Sequence, residues 1–459
     1  MSRIEYIRYG VLAGLVAAVL LWLGPPGSDT AAHVYQVWFF KEHGFTIWDN
    51  YWYSGRYVFV TYSWLYYPLA SVLGIKLLAA LSLSTAAGAF ARLVDYPPAA
   101  LAFALVWGAF ALTGAYPFML GVAFALLALN TRRLFPLFAV LAWAASPLAL
   151  LLLGVVVAGL RRWRAVAAVV PLVVLQGVLS LVYPSPGHFP FSPQEAAAAA
   201  VLCLGAIMLT AGRLIRGVFV AWLALVLVSL VFPSELGENA VRLRFMALPL
   251  ALLVLRGRAL RVAVPLAILA AAYNVSPLLW SFEAGTDEGA NRAAYWAPAI
   301  AYLHAHNTPD FRVNALDTVG HWESVYLPEA GIPITRGWFR QDDSPQNAVL
   351  YHRLGFPAYE RWLRARGVRY VLVPGERLDY SSKQEPALAA NLRLVTTAGA
   401  VRIYELARPT PIGPALKVLS LTANTITLRV PRAGRYHLSV RLHETFIAPS
   451  AGTFTLHFP

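Results

Sequence analysis

Long apolar runs constrain this chain more than any other feature of its sequence. A helix of about 20 apolar residues crosses a bilayer core of about 30 Å, and residues 1–280 contain many such runs, bounded by Arg, Pro or Gly. Hydrophobic residues make up 58% of the chain and charged residues only 13%, a balance that is unusual for soluble globular domains. The sequence therefore predicts a polytopic α-helical membrane protein.

The runs predict about ten or eleven membrane crossings. Residues 9–23 follow two arginines and lack a small-residue cleavage site, so we interpret them as a retained helix and not as a signal peptide. The run over 134–160 is too long for one crossing and contains Ser146-Pro147, which predicts one kinked helix or two short ones. The other predicted spans cover residues 68–91, 99–113, 116–131, 165–183, 195–212, 216–232, 244–256 and 259–280.

The net charge of +14 follows from membrane topology and does not require a nucleic-acid partner. If the N-terminus is cytoplasmic, the outer loops and nearby helix ends carry only Lys41, Arg56, Lys76, Arg242 and Arg244. This bias predicts a multi-pass protein of the plasma membrane with an extracytoplasmic C-terminal domain. The basic residues of the inner side are Arg3, Arg8, Arg92, Arg132, Arg133, Arg161, Arg162, Arg164, Arg213, Arg216, Arg256, Arg258 and Arg261.

The sequence predicts three parts. Residues 1–280 form the transmembrane domain, with its first outer loop at 25–67. Residues 281–411 form an extracytoplasmic α/β domain, because hydropathy falls there and strand-like runs alternate with a helical one at 357–366. Residues 412–459 form a small β-sandwich-like unit, in which strands 425–430 and 436–441 are joined by a turn. The chain ends within a strand-like run, so we expect this unit to be incomplete.

The first outer loop is the least lipid-like part of the membrane half. Ser28 or Asp29 is a candidate N-cap of an amphipathic helix over 28–43, which we expect to lie along the outer interface. The segment after it is rich in Trp and Tyr, which suits an aromatic belt or a platform on which a sugar ring stacks. The candidate sugar or lipid-phosphate contacts of the whole loop are His33, Trp48, Asp49, Trp52, Tyr53 and Arg56.

Asp29 is the candidate catalytic residue, because a carboxylate just after the first span can meet a lipid headgroup at the membrane surface. The alternative is that Asp29 only caps the helix. His33 stands four residues later, so the pair is a candidate metal site. The alternative is an interfacial His that hydrogen-bonds to a neighbour.

Arg242 and Arg244 are candidate ligands of a lipid phosphate, because guanidinium groups bind phosphate in a fork geometry. The alternative is a contact with a headgroup or with Glu235 or Glu238.

The strings around residues 321–323 and 336–343 mix aromatic and polar groups in the manner of a carbohydrate-facing surface, or form a solvated loop with two anchoring tryptophans. There is no phosphate-binding Gly-rich loop and no run of intramembrane acids, which disfavours ATPases and proton-driven pumps.

The string Gly27-Ser28-Asp29-Thr30-Ala31-Ala32-His33, followed by Trp48-Asp49-Asn50-Tyr51-Trp52-Tyr53-Ser54-Gly55, resembles the first outer loop of GT-C superfamily glycosyltransferases. The whole chain resembles the prokaryotic multi-pass proteins labelled "6-pyruvoyl-tetrahydropterin synthase-related". Two strings carry that resemblance, Gly331-Ile332-Pro333-Ile334-Thr335-Arg336-Gly337 and Leu363-Arg364-Ala365-Arg366-Gly367-Val368-Arg369-Tyr370-Val371. Nothing in the sequence suits pterin chemistry.

The GT-C resemblance implies an inverting transfer of a sugar from a polyprenyl-phosphate donor to an acceptor on the outer face, with Asp29 as general base. Many relatives carry two adjacent acids or Asp-x-Asp in this loop, whereas Asp29 is followed by Thr30. This departure leaves open whether Mg²⁺ or Mn²⁺ takes part, although His33, Asp49 and the loop near Glu235 offer further ligands.

Our hypothesis is a membrane glycosyltransferase that acts at the lipid bilayer on envelope glycan, lipid or protein acceptors. One alternative is a transporter or flippase of lipid-linked saccharide, which could use the same outer cavity. Another is an envelope scaffold that binds glycan.

Overall fold

The computed structural model describes residues 3–185, 187–286 and 289–459. Up to residue 286 the described chain is mainly helical, with one long non-helical loop over 44–65. Its α-helices are α1 (Arg3–Leu23), α2 (Thr30–His43), α3 (Tyr66–Leu73), α4 (Ile75–Val94), α5 (Pro97–Ala109), α6 (Tyr116–Asn130), α7 (Phe135–Ala145), α8 (Pro147–Gly159), α9 (Trp163–Val182), α10 (Pro193–Leu209), α11 (Arg213–Val231), α12 (Ala247–Val254) and α13 (Leu260–Thr286). Two 3₁₀ segments, Phe110–Thr113 and Gly237–Met246, interrupt them.

Five of the described helices, α1, α4, α9, α11 and α13, are long and apolar enough to cross a membrane. Five shorter apolar helices, α5 to α8 and α10, accompany them. Apolar side chains on the long helices face outward, as in α9, where Val174 is 60% and Leu181 83% exposed. Such surfaces are stable in hydrocarbon and costly in water, so the prediction of a membrane protein is confirmed.

The predicted spans break where the backbone leaves the helical region. Ser146 is extended (φ −161°, ψ 111°) and Pro147 opens α8, so residues 134–160 form two short helices and not one kinked helix. Gly74, with φ 81°, separates α3 from α4. The predicted span 244–256 contains only the eight-residue α12. At 1.5 Å per residue, a helix of this length covers less than half of a bilayer core of about 30 Å.

The described chain divides into two compact units. The first comprises the residues up to Thr30, Phe59–Pro184 and His188–Thr286. Within it, α8 and α11 approach closely at two glycines: a Cβ on Gly217 would lie 2.2 Å from the carbonyl oxygen of Gly159. Small residues allow this backbone contact, which is a common way for apolar helices to associate in a membrane.

The second unit comprises Ala31–Val58, residues 185 and 187, and the described chain from 289 onward. Its further helices are α14 (Ala293–His306), α15 (Glu323–Glu329), α16 (Arg340–Gln346), α17 (Phe356–Ala365) and α18 (Glu385–Ala389). Its strands are β1 (Trp48–Asp49), β2 (Arg56–Tyr57), β3 (Arg312–Ala315), β4 (Val368–Pro374), β5 (Arg393–Ala398), β6 (Val401–Glu405), β7 (Lys417–Leu421), β8 (Thr425–Val430), β9 (Gly434–His437), β10 (Thr445–Ala448) and β11 (Gly452–His457).

The main sheet of the second unit has the order β3-β4-β6-β5, with β3 and β4 parallel and the other pairs antiparallel. The α17 residues Tyr359, Trp362 and Leu363 are buried against β4 in one hydrophobic core. The β-rich tail forms a second core. The predicted fold class, a helical membrane half followed by an α/β domain and a terminal β unit, is confirmed.

Two local predictions differ from the structure. The strand β8 does not pair with the next strand in a hairpin: it lies between β7 and β11, while β9 pairs with β10. The predicted interfacial helix exists as α2 but is buried, with Ala31, Tyr35 and Phe39 at 0% exposure. Aromatic packing explains this burial, because the Tyr35 ring stacks on Trp52 at 4.2 Å and a stacked pair is favourable beyond its buried area.

The α8–α11 contact predicts a strong effect of one added methyl group. Replacing Gly217 by Ala places a Cβ against the Gly159 carbonyl, and such overpacking costs about 1–3 kcal/mol. We expect Gly217→Ala to lower the melting temperature of the detergent-solubilised protein in a thermal unfolding scan. Gly205→Ala is the matched control, because a Cβ there meets nothing within 4 Å; equal melting temperatures of the two variants would contradict the close contact.

Candidate functional site

Asp29 is held in the turn between α1 and α2 by a close backbone contact. Its amide donates a hydrogen bond to the Thr113 carbonyl at 2.9 Å. Two glycines make the approach possible: a Cβ on Gly27 would lie 2.5 Å from the Gly114 nitrogen, and Gly114 itself has φ 71°. Glycine avoids the clash at position 27 and the strain of the left-handed conformation at position 114, so these two glycines allow the contact that positions the carboxylate.

The Asp29 carboxylate faces a guanidinium group of the 3₁₀ segment Gly237–Met246. Its Oδ2 lies 3.8 Å from Nη2 of Arg242, and the Asp29 side chain is 16% exposed. The Ser28 hydroxyl lies 3.3 Å from Asp29 Oδ1. Burial raises the pKa of Asp29 above its ordinary value, while the charge of Arg242 and the Ser28 hydroxyl act in the opposite direction. A carboxylate in such surroundings is a candidate general base.

A polar cavity of about 270 Å³ opens at this carboxylate. It is formed by the turn after α1, the two 3₁₀ segments, the loop before α10 and one face of α13. Of the predicted site residues, Asp29, Arg242 and Arg244 all line it. The full lining is Ser28, Asp29, Phe110, Thr113, Phe189, Glu238, Asn239, Val241, Arg242, Arg244, Phe245, Pro277, Trp280 and Ser281.

Arg244 is held in a fixed orientation at the wall of this cavity. Its Nη1 forms an ion pair with Glu195 Oε2 at 2.5 Å, and its Nη2 donates to the Tyr273 carbonyl at 3.4 Å. Its guanidinium carbon lies 4.4 Å from the centre of the Tyr273 ring. The buried Nε donor has no hydrogen-bond partner among the described residues. A buried donor of this kind is costly unless a ligand accepts from it.

Arg242 is oriented by different contacts. Its Nε donates to Asn239 Oδ1 at 2.7 Å, and its guanidinium carbon lies 5.4 Å from the centre of the Phe118 ring. Glu238, in the same 3₁₀ segment, adds a second carboxylate to the cavity. Burial and the nearby Glu195 raise the pKa of Glu238, while Arg244 and Arg242 oppose the shift. The cavity therefore combines two cations with two acids.

Sequence reasoning missed several cavity residues. Thr113, Asn239 and Ser281 line the cavity, and Glu195 anchors Arg244 from α10. They are scattered along the chain, and no motif joins them. Their signal in the sequence is weak: Thr113 and Ser281 are single polar residues at the end of an apolar run, Glu195 precedes one, and Asn239 lies in a polar loop.

A second, apolar cavity of about 320 Å³ lies among α10 to α13. Leucine, valine and alanine side chains dominate its lining, and Tyr273 is its polar exception. The same Tyr273 contacts Arg244 of the polar cavity. Arg244, a predicted ligand of lipid phosphate, and an apolar cavity are therefore neighbours within the first unit.

The predicted aromatic platform is buried within the second unit. Trp48, Trp52 and Tyr53 are each 0% exposed. The Trp48 ring stacks on Phe458 at 5.5 Å, and Trp52 Nε1 donates to the Ser324 carbonyl. These ring faces are covered by protein, so in this structure they pack a core and offer no face to a sugar.

The polar residues of the same segment are also buried. Asp49 is 0% exposed, accepts hydrogen bonds from the Tyr35 hydroxyl and the Tyr51 amide, and has its pKa raised to about 7 by burial. Arg56 Nε lies 3.2 Å from Asp342 Oδ2. His33 is 1% exposed. The structure therefore gathers Asp29, Arg242 and Arg244 in the first unit, while these other predicted site residues belong to the second.

Among the described residues, one group of three or more His, Cys, Asp and Glu side chains is arranged closely enough to hold a metal ion. It consists of Asp317, His321 and Asp379. Of these, only His321 belongs to a string for which a carbohydrate-facing surface or a solvated loop was predicted, and Asp317 and His321 are only 2% and 6% exposed. A metal at Asp29 and His33 stays a prediction.

Comparisons with known proteins place the chain near two solved glycosyltransferases, at low similarity. The mycobacterial arabinofuranosyltransferase AftD is 16% identical, with a TM-score of 0.44; the match covers 91% of this chain and 41% of that one. The oligosaccharyltransferase of Archaeoglobus fulgidus is 12% identical, with a TM-score of 0.43, over 80% of this chain and 69% of that one. This chain thus spans about two fifths of AftD. No protein-family model and no curated protein matches it.

The burial of Trp48 predicts a loss of stability when its ring is removed. Truncating a fully buried aromatic side chain costs about 3–5 kcal/mol, so we expect Trp48→Ala to lower the unfolding temperature of the purified protein. Trp163→Ala is the control, because Trp163 is 67% exposed. An unchanged unfolding temperature for Trp48→Ala, together with weaker glycan binding, would instead favour the sugar platform.

Proposed function

We propose that the protein is a membrane glycosyltransferase that transfers a sugar from a polyprenyl-phosphate donor to a hydroxyl group of an envelope glycan, lipid or protein acceptor. Asp29 serves as general base, and Arg242 and Arg244 bind the lipid phosphate. One observation carries the proposal: the 3.8 Å approach of Asp29 to Arg242 in a cavity that Arg244 also lines.

The residues divide the chemistry between them. Asp29 takes the proton of the acceptor hydroxyl, whose oxygen then bonds to the anomeric carbon of the donor sugar. The bond from that carbon to the phosphate oxygen breaks at the same centre, and the lipid phosphate leaves with its electron pair. Arg242 and Arg244 offset the charge that develops on this phosphate. Attack opposite the leaving group inverts the anomeric configuration.

A lipid-linked donor fits the two neighbouring cavities. The Arg244 side chain lines the polar cavity and lies over the ring of Tyr273, which lines the apolar one. A phosphate bound at Arg244 can therefore place its hydrocarbon chain among apolar side chains of α10 to α13. Burial of each methylene group there contributes about 0.8 kcal/mol, which favours a lipid carrier over a water-soluble nucleotide sugar.

The general-base role predicts that Asp29→Asn lowers transfer strongly. General-base catalysis contributes about 10²- to 10⁴-fold in rate, and Asn keeps the shape of Asp29 but cannot accept the proton. The measurement is the rate of glycosidic bond formation in proteoliposomes supplied with polyprenyl-phosphate sugars of different headgroups. Asp95→Asn, the same change in the loop after α4 and outside the cavity lining, should leave the rate unchanged.

Full activity of Asp29→Asn would disprove the assigned mechanism. Movement of labelled lipid across the bilayer without a new glycosidic bond would favour the transporter or flippase alternative. Both outcomes are read from the same proteoliposomes, by separate assays for the product and for the transbilayer position of the donor.

The electrostatics of Asp29 predict the pH dependence of the reaction. The base works only when ionised, so kcat/KM falls as the pH drops through the pKa of Asp29, which burial places above that of an ordinary aspartate. Arg242→Gln removes the opposing positive charge and should move this acidic limb to higher pH. Arg242→Lys keeps the charge and is the control. An acidic limb at the same pH in all three proteins would contradict the coupling of Arg242 to Asp29.

A further inference from the structure

The second unit contains a buried cluster in which carboxyl groups outnumber guanidinium groups. The carboxyl groups belong to residues from two loops and three helices, and the guanidinium groups that pair with them are those of Arg336 and Arg340. Buried charges of one sign are costly unless a cation or a proton balances them. The carboxylates are those of Asp317, Glu323, Asp343, Asp379 and Glu385.

His321 lies among these carboxylates, and its Nδ1 lacks the hydrogen bond that a buried imidazole nitrogen normally makes. It is 6% exposed, and its Nδ1 has no hydrogen-bond partner among the described residues. Nδ1 lies 3.8 Å from Asp317 Oδ2 and 3.8 Å from Glu323 Oε1, and Nε2 lies 3.9 Å from Asp379 Oδ2. These distances exceed a hydrogen bond. Only one ring nitrogen can ligate a given ion, and one ligand atom from each of His321, Asp317 and Asp379 lies within 4.8 Å of the other two.

We propose that Asp317, His321 and Asp379 form a binding site for a divalent transition-metal ion, Zn²⁺ or Mn²⁺, with Glu323 beside it. The ligand atoms of these three residues lie within 4.8 Å of one another. Two ligands about 2.1 Å from a tetrahedral ion are about 3.4 Å apart. Small rotations of the side chains would bring the imidazole and the carboxylates to that separation.

The neighbouring arginines are compatible with a metal ion. Arg336 Nη2 lies 2.9 Å from Asp317 Oδ2, and Arg340 Nη2 lies 2.6 Å from Asp379 Oδ2. A carboxylate has about four lone-pair sites, so it can accept from a guanidinium group and ligate an ion together. Hydrogen bonds of this kind orient ligating carboxylates in known metal sites. One imidazole with carboxylate oxygens is a donor set that Zn²⁺ and Mn²⁺ accept.

The site would tie together two loops at one edge of the main sheet. Asp317 and His321 follow β3, and Asp379 follows β4. These two strands are parallel neighbours, so their carboxyl ends lie at the same edge. The Asp379 amide already donates to the Asp317 carbonyl at 2.9 Å. A metal ion there would stabilise the second unit, since it binds the folded arrangement and not the unfolded chain.

A proton on Asp317 is the competing way to reduce the charge. Burial raises the pKa of this carboxyl group well above its usual range, and a neutral Asp317 needs no metal partner. Asp317→Asn separates the two, because Asn mimics the protonated acid in shape and charge. If protonation of Asp317 is enough to balance the charge, the wild type and Asp317→Asn both bind little metal. If a metal ion balances the charge, Asp317→Asn lacks one ligand and binds the ion more weakly than the wild type does.

The experiment uses the full chain in detergent, stripped with a chelator, dialysed and titrated with Zn²⁺ and, separately, with Mn²⁺. Metal content is measured by inductively coupled plasma mass spectrometry after removal of free ion. We expect the wild type to retain about one ion per chain, because the ligands form one centre. His321→Gln and Asp317→Asn should bind at least tenfold more weakly. His304→Gln, which changes an exposed histidine of α14, should bind as the wild type does.

A second measurement, on the wild type, does not depend on whether the variants fold. Loading with Co²⁺ should give the d–d absorption of a low-symmetry site with nitrogen and oxygen ligands, and an excess of Zn²⁺ should remove it. The proposal is overturned if the wild type retains no ion, if Co²⁺ gives only the spectrum of the aqueous ion, or if the folded His321→Gln variant binds metal with wild-type affinity.

Discussion

The need to satisfy every backbone polar group within hydrocarbon governs the first half of this chain. Helices meet that need internally, so irregular backbone and charged side chains are restricted to positions where helices end or are shielded by protein. The polar cavity obeys this rule. Asp29 lies in the turn after α1, Thr113 at the end of a 3₁₀ turn, and Arg242 and Arg244 in the 3₁₀ segment before α12. These polar residues of the cavity are therefore confined to turns and 3₁₀ segments between the helices.

Within the cavity, each charged group is held by another. Arg244 is fixed by Glu195 and by the Tyr273 ring and carbonyl, so it can meet a phosphate with little loss of side-chain entropy. Asp29 stays close to Arg242 without direct bidentate contact, which leaves the carboxylate able to accept a proton. One arginine is thus tightly anchored, and one carboxylate is only loosely paired. This arrangement suits a site that binds an anion and removes a proton.

The second unit uses aromatic and ionic side chains for a different purpose. The segment after α2 has the composition of a sugar platform, but its rings fill cores, as the stacking of Trp48 on Phe458 illustrates. Arg336 is 1% exposed among carboxylates and hydroxyl groups. Arg336 of the string 331–337 thus belongs to a buried ionic network. Such networks fix one arrangement of loops, because leaving any member unpaired is costly.

The sequence by itself determined the membrane half, most span positions and the strand β8, because these depend on hydropathy and on local period. It also singled out Asp29, Arg242 and Arg244 as charged residues near span ends. The tertiary structure alone decided that these three line one cavity, that Glu195 holds Arg244, and that Trp48 and His321 are buried. Those features depend on contacts between distant segments, and no spacing along the chain encodes which segments meet.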